Sequence, residues 1–165
     1  METEMAKSAQ TNTGVIAQAL DASLWAPESG ALEDFLVMDI RSPFFPANGI
    51  SELADIYMRV FNDVKEVSAK WTPRSADNMI DLHRRTLGCN LALFDLKTDK
   101  IIGGFLSTIV PSATGWRLSN QDLFISPGYR GIGIGSGLYH RALVYADDIC
   151  RRELKSDISS ISGTT

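Results

Sequence analysis

Cysteine is scarce: Cys89 and Cys150 are the only two. They stand far apart, with no C-x-x-C and no paired histidines nearby, which argues against a disulfide framework and a zinc site. Two half-buried thiols in a reducing compartment are expected instead. Long hydrophobic runs are also lacking. The most apolar stretch, Ile101 to Val110, is shorter than the ~20 residues a membrane span requires. The polar segment Met1 to Thr13 has no apolar core of a signal peptide. Positive charge is in deficit: 16 Lys and Arg face 20 Asp and Glu, a net charge of −4. A general binder of nucleic acid or anionic membrane carries the opposite sign. These absences point to a cytoplasmic protein with no nucleic-acid or membrane partner.

The remaining composition is that of a globular domain. The 165 residues are 44% apolar and 22% charged, which fits one domain with a core of its own. Residues 1–35 read as an extension. It is polar and disordered at its start, then carries a short amphipathic helix through Ile16, Leu20 and Leu24 that Pro27 ends. The main domain is placed at 36–150 and a polar, frayed tail at 151–165.

Within the domain, Leu36 to Arg41 reads as a strand. Ile50, Leu53, Tyr57, Val60, Phe61 and Val64 follow helical spacing, with Ser51 as N-cap. Thr72 and Pro73 start a second helix as N-cap and first helical residue, and Gly88 is read as its C-cap. Cys89 to Leu96, Ile101 to Val110 and Trp116 to Ile125 read as a three-stranded meander, with turns at 97–100 and 111–115. A last helix starts near Gly133. Strands and helices segregate, so the expected class is α/β of the mixed-sheet, α+β kind rather than doubly wound.

One segment carries chemistry. Asp122-Leu-Phe-Ile-Ser-Pro-Gly-Tyr-Arg-Gly-Ile-Gly-Ile-Gly-Ser-Gly joins an apolar strand to a helix through alternating glycines at 131, 133, 135 and 137. Such glycines allow positive φ and close approach of backbone N–H groups to a ligand. The first turn of a helix offers unpaired donors and partial positive charge. Arg130 adds a formal charge. A phosphate or pyrophosphate is the natural guest, and a bare flexible loop is the alternative. No Lys follows the glycines as a Walker loop requires, and the G-x-G-x-x-G spacing fails at Ser136 and Leu138.

The run Arg130-x-x-Gly133-x-Gly135, after a strand ending Ile125-x-Pro127, resembles the coenzyme A motif of the GNAT-type N-acetyltransferases, [Gln/Arg]-x-x-Gly-x-[Gly/Ala]. Gln121 to Ser136 is most similar to the polyamine and small-amine members. Met38-Asp-Ile-Arg-Ser-Pro and Ser51-Glu-Leu-Ala-Asp-Ile-Tyr resemble the first strand and helix of that fold.

The resemblance implies an acyl-CoA N-acyltransferase fold using acetyl-CoA, with direct attack by a primary amine, from a small molecule or a protein. Backbone amides of Gly131, Ile132, Gly133, Ile134, Gly135 and Ser136, beside Arg130, would hold the pyrophosphate. Backbone groups of Leu123, Phe124 and Ile125 would flank the pantetheine arm, with an amide near Leu123 as oxyanion donor.

Direct attack needs a base. Polyamine relatives carry Glu where this chain has Gln121, so Asp122 is the candidate, on condition that its strand is bulged. His83, on a helix that borders the acceptor site in the family, is the second candidate; a solvated helix histidine is the plain alternative. His140 is expected to be structural or exposed, and Tyr129 to pack the loop.

The family's strand, helix and hairpin beyond the last helix find no match in residues 151–165. The fold is therefore expected to be shortened, with an open sheet edge through which the chain could dimerise. A CoA-binding module without activity is the first alternative function, and an interaction protein built on the same sheet is the second.

Overall fold

The computed structural model describes residues 32–64, 69–155 and 158–161. The helix read through Ile16, Leu20 and Leu24 lies outside them. A five-stranded sheet organises the rest: β1 (Phe35–Asp39), β2 (Leu91–Asp95), β3 (Lys100–Ser112), β4 (Gly115–Ile125) and β5 (Ile158–Ile161). The spatial order is β1-β2-β3-β4-β5. The first four strands pair antiparallel, and β5 joins β4 in parallel. The mixed α/β class read from the sequence is the observed one.

Helices cover both faces. α1 (Gly49–Asn62) and α2 (Pro73–Arg85) pack on one, α3 (Ile134–Ile149) on the other. The pleat of β3 and β4 sorts their side chains accordingly. Phe124 meets Tyr57 of α1 with ring centroids 5.2 Å apart, while Phe105 meets Tyr139 of α3 at 5.8 Å. Leu53, Ile80, Leu91, Phe105, Phe124 and Leu138 are among the core residues sealed from solvent.

Several boundaries differ from the sequence reading. Strand β1 begins at Phe35 and stops at Asp39, where Ser42 N–H turns back onto the Asp39 carbonyl. Helix α1 starts at Gly49 rather than after Ser51, because a turn in which Gly49 N–H donates to the Pro46 carbonyl runs straight into it. Glu52 does more than complement the helix dipole: its Oε1 accepts from Ile101 N–H at 3.0 Å. The start of α2 agrees with the reading. Thr72 Oγ1 accepts from Ser75 N–H at 3.1 Å, and Ser75 Oγ accepts from Thr72 N–H at 2.9 Å.

Gly88 is not the C-cap of α2, which ends at Arg85 with Thr86 extended. Its backbone instead presses on β3, where an added Cβ would lie 2.0 Å from the Ser107 carbonyl oxygen. Pro111 and Ser112 belong to β3, leaving Ala113 and Thr114 as the turn. Strand β2 pairs only as far as Phe105 along β3, so a missing N–H at Pro111 breaks no bond on that side.

The C-terminal region departs most. Helix α3 passes into a π turn at Cys150–Leu154, and Lys155 reverses the chain at φ 55°. Ile158–Ile161, read as frayed, is β5, paired with β4 at Trp116, Arg117 and Leu118. At least one of the strands thought missing is therefore present. At the other end, Leu32 is buried and fills the space that the absent side chain of Gly137 leaves on α3. The core thus begins before Leu36. Cys89 and Cys150 form no disulfide and are fully rather than half buried.

Candidate active site

Strand β4 carries a bulge at the point on which the sequence argument depended. Leu106 pairs with Asp122 but Thr108 pairs with Ser119, so two residues of β4, Asn120 and Gln121, oppose Ser107 alone. Asn120 takes the left-handed conformation, φ 50°, that such an insertion needs. Beyond the bulge, Ser126 N–H donates to the Ile102 carbonyl at 2.8 Å, which fixes the phase of the ladder. Phe124 and Asp122 turn their backbone groups toward β3; Leu123 and Ile125 turn theirs outward. Arg130 confirms the direction, since its Nε donates to the Ile125 carbonyl at 2.9 Å. Among the described residues, β5 covers β4 only at residues 116–118. The backbone of Leu123 and Ile125 therefore faces an open edge, and that of Phe124 does not. Leu123 is also 39% exposed.

The loop after β4 is held from three directions. Tyr129 donates from its phenol to Asp95 Oδ2 at 2.6 Å, and its ring meets Phe35 edge-on. Arg130 is tied back to β4 as described. Gly131 and Gly133 then adopt φ of 79° and 85°, which a side chain would strain. Gly133 is the N-cap of α3 and no side chain caps that end. The first N–H groups of the helix, from Gly133 to Ser136, have no helical acceptor. Gly135 sits above the open edge; a Cβ there would lie 3.8 Å from both Leu123 and Ile125. The four glycines thus divide: two set the backbone, one packs near β4 and Gly137 makes room for Leu32. Ile132 is exposed, whereas Ile134 points into the core.

Asp122 lies on the α1 side of the sheet. Its Oδ2 accepts from the Tyr57 phenol at 3.0 Å. Burial raises its pKa, while the Tyr57 bond and the nearness of His83 pull the other way. His83 is only 5% exposed, so it is not the solvated helix residue of the plain reading. Its ring Nδ1 lies 3.3 Å from the Ser107 carbonyl, which accepts only, so Nδ1 carries the proton. Burial lowers the His83 pKa and keeps the ring neutral at pH 7. The structure thus brings both predicted bases to one place, opposite the bulge.

Helical spacing marks Tyr57 as a core residue only. Its phenol shows a second role that helical spacing cannot reveal. His140 is exposed, and Tyr129 packs the loop, as expected. A cleft of about 400 Å³ opens between α1 and the end of β4, with Met58, Arg59, Val60 and Asp63 facing Ser126 and Pro127. No metal-binding cluster occurs among the described residues, and none of their helices is long and apolar enough to cross a membrane.

The sequence matches the model of the Acetyltransferase (GNAT) family over residues 50–161. No curated protein matches at a significant level. Among solved structures, the fold is similar to a possible acetyltransferase from Clostridium difficile 630. That pair has TM-score 0.57 and 14% identity, covering 78% of each chain. A putative GNAT family acetyltransferase from Staphylococcus aureus gives TM-score 0.54 and 15% identity, covering 80% of this chain and all of that one. Glucosamine-6-phosphate N-acetyltransferase from Arabidopsis thaliana gives 0.52 and 12%, covering 81% and 83%. At these identities the likeness is one of fold.

Proposed function

The chain belongs to the acetyltransferase (GNAT) family, and on that premise we propose that it moves an acetyl group from acetyl-CoA to a primary amine by direct attack. The observation that carries this reading is the pairing of an open β4 edge with an uncapped helix start directly beside it. The cradle fits a CoA pyrophosphate. Open space surrounds the Cβ position of Gly131, and the free donors of residues 133–136 converge with the charge of Arg130. The outward N–H and carbonyl of Leu123 and the outward N–H of Ile125 can pair with the amide groups of a pantetheine arm, as an added strand would, while Arg130 holds the Ile125 carbonyl.

Acetyl-CoA supplies an activated thioester: the new N–C bond forms as the C–S bond breaks, CoA leaves as the thiol and the amine loses a proton. The Leu123 N–H points to the open edge and serves as donor to an oxygen gaining negative charge. Asp122 takes the amine proton, directly or through a water. Its raised pKa suits that task, because a base too weakly basic cannot compete for an ammonium proton. His83, neutral and adjacent, supports Asp122 without adding a competing charge. The net charge of −4 favours a cationic acceptor, and polyamines head the set to be tried on the similarity of Gln121 to Ser136. The two thiols are buried and take no part.

A second reading, a CoA-binding module without activity, is favoured by Gln121, since an amide stands where polyamine relatives carry Glu. Release of CoA thiol, followed with a thiol reagent across spermidine, aminoglycosides and a lysine peptide, separates the two. Amine-dependent release supports transfer. Saturable acetyl-CoA binding with no release from any acceptor supports the module.

A further inference from the structure

Tyr57 is nearly sealed, with 3% exposure. Its ring is clamped by Phe61, Trp71 and Phe124 at centroid distances of 4.5, 5.1 and 5.2 Å. Trp71 is itself locked onto α1, since Asn62 both donates to its carbonyl at 2.9 Å and accepts its N–H at 2.7 Å. The ring is therefore held by three side chains, and among the described residues the phenol's one polar contact is Asp122 Oδ2. Asp122 needs such a partner. It follows the bulge directly, where the ladder is interrupted. Among the described residues its other oxygen accepts no hydrogen bond, so one oxygen is anchored and one is left for chemistry.

We infer that Tyr57 is a positioning residue for the transfer reaction, holding Asp122 so that its second oxygen receives the acceptor's proton. This rests on the reading of Asp122 as the base. The titratable groups facing Asp122 are Tyr57 from α1 and His83 from α2; Leu106 lies across the ladder, and α3 covers the opposite face. A phenol that donates to a carboxylate favours the charged form, so removing it moves the Asp122 titration to higher pH.

The test uses Tyr57→Phe, which keeps the clamped ring and deletes only the hydroxyl. The carboxyl carbon of Asp122 is titrated by 13C NMR in the parent and in the variant, assigned with Asp122→Asn. Acetyl transfer is followed in parallel with the acceptor that the parent uses. The Asp122 titration should move up in the variant, and the acid limb of the kcat profile should move with it. Above that limb kcat should fall by about 10-fold to 100-fold, with KM for acetyl-CoA unchanged. An unmoved Asp122 titration, or a fall in KM-dependent binding with kcat intact, overturns the inference while leaving the transfer reading in place. A parent chain that binds acetyl-CoA but transfers to no amine overturns the reading of Asp122 as the base and the inference together.

Discussion

Gly88→Ala should cost this protein a large part of its stability, although the change adds a single methyl group. The Cβ would stand 2.0 Å from the Ser107 carbonyl oxygen and 3.0 Å from Asn90 Nδ2. The segment must lift from β3 by about 1 Å to relieve this. That segment is bonded at both sides. Cys89 N–H donates to Ser107 Oγ at 3.1 Å, Ser107 Oγ–H to the Cys89 carbonyl at 2.8 Å, and Ser107 N–H to Asn90 Oδ1 at 3.0 Å. Overpacking of this kind costs about 1–3 kcal/mol, and one buried polar group left unpaired adds about 1–3 kcal/mol. A total of about 2–6 kcal/mol lowers Tm by about 4–24 °C for a chain of this size. Thermal unfolding followed by circular dichroism reads the shift. Gly128→Ala is the control: nothing lies within 4 Å of its Cβ position, so its Tm should stay within about 2 °C of the parent. Gly88 is not among the glycines with positive φ, so conformational strain cannot mimic the effect. A Gly88→Ala protein melting within 2 °C of the parent would refute the packing argument.

Three further changes act at the site itself. Asp122→Asn should lower kcat/KM by about 10²–10⁴-fold, and parent activity should rise with pH through the elevated Asp122 pKa. Burial holds that pKa above its unfolded value, so the folded state binds the extra proton and the charged form costs stability above this window. The Asn variant should therefore melt no lower than the parent at pH 8, and its advantage should vanish below about pH 3.9; a variant several degrees less stable at pH 8 contradicts this. Gly133→Glu places a side chain at φ 85° and a negative charge where donors converge, so acetyl-CoA should bind at least about 10-fold more weakly; unchanged affinity removes the loop from the binding site. Tyr129→Phe deletes the 2.6 Å bond to Asp95, so amide exchange at residues 130–133 should quicken while the core keeps its protection; equal exchange rates would show that the Phe35 contact and the Arg130–Ile125 bond hold the loop without it.

How much of this was legible in the sequence depended on the range of the interaction. The strand, helix and meander order was readable, because burial on one face imposes periods of 2 and 3.6 on each element. The start of α2 was readable because Thr72 and Pro73 act on their immediate neighbours. The glycine-rich handover after β4 was also local, and it led to the family. Gly88 was misassigned because its requirement comes from Ser107, nineteen positions away in sequence. Strand β5 was missed because Ile158-Ser-Ser-Ile is short and polar, and its pairing with Trp116 to Leu118 is non-local. The bulge is not readable from sequence, since Asn120 tolerates the left-handed region without demanding it. The same limit hid the Tyr57 phenol, which helical spacing marks as core while its hydroxyl reaches Asp122 across 65 residues.

Calorimetric titration of the chain with acetyl-CoA, beside the same titration of Gly133→Glu, tests the central claim most directly. Saturable binding to the parent, weakened by at least about 10-fold in the variant, is the predicted result. No binding to the parent at millimolar acetyl-CoA, or equal binding to both proteins, would contradict a cofactor cleft formed by the β4 edge and the start of α3.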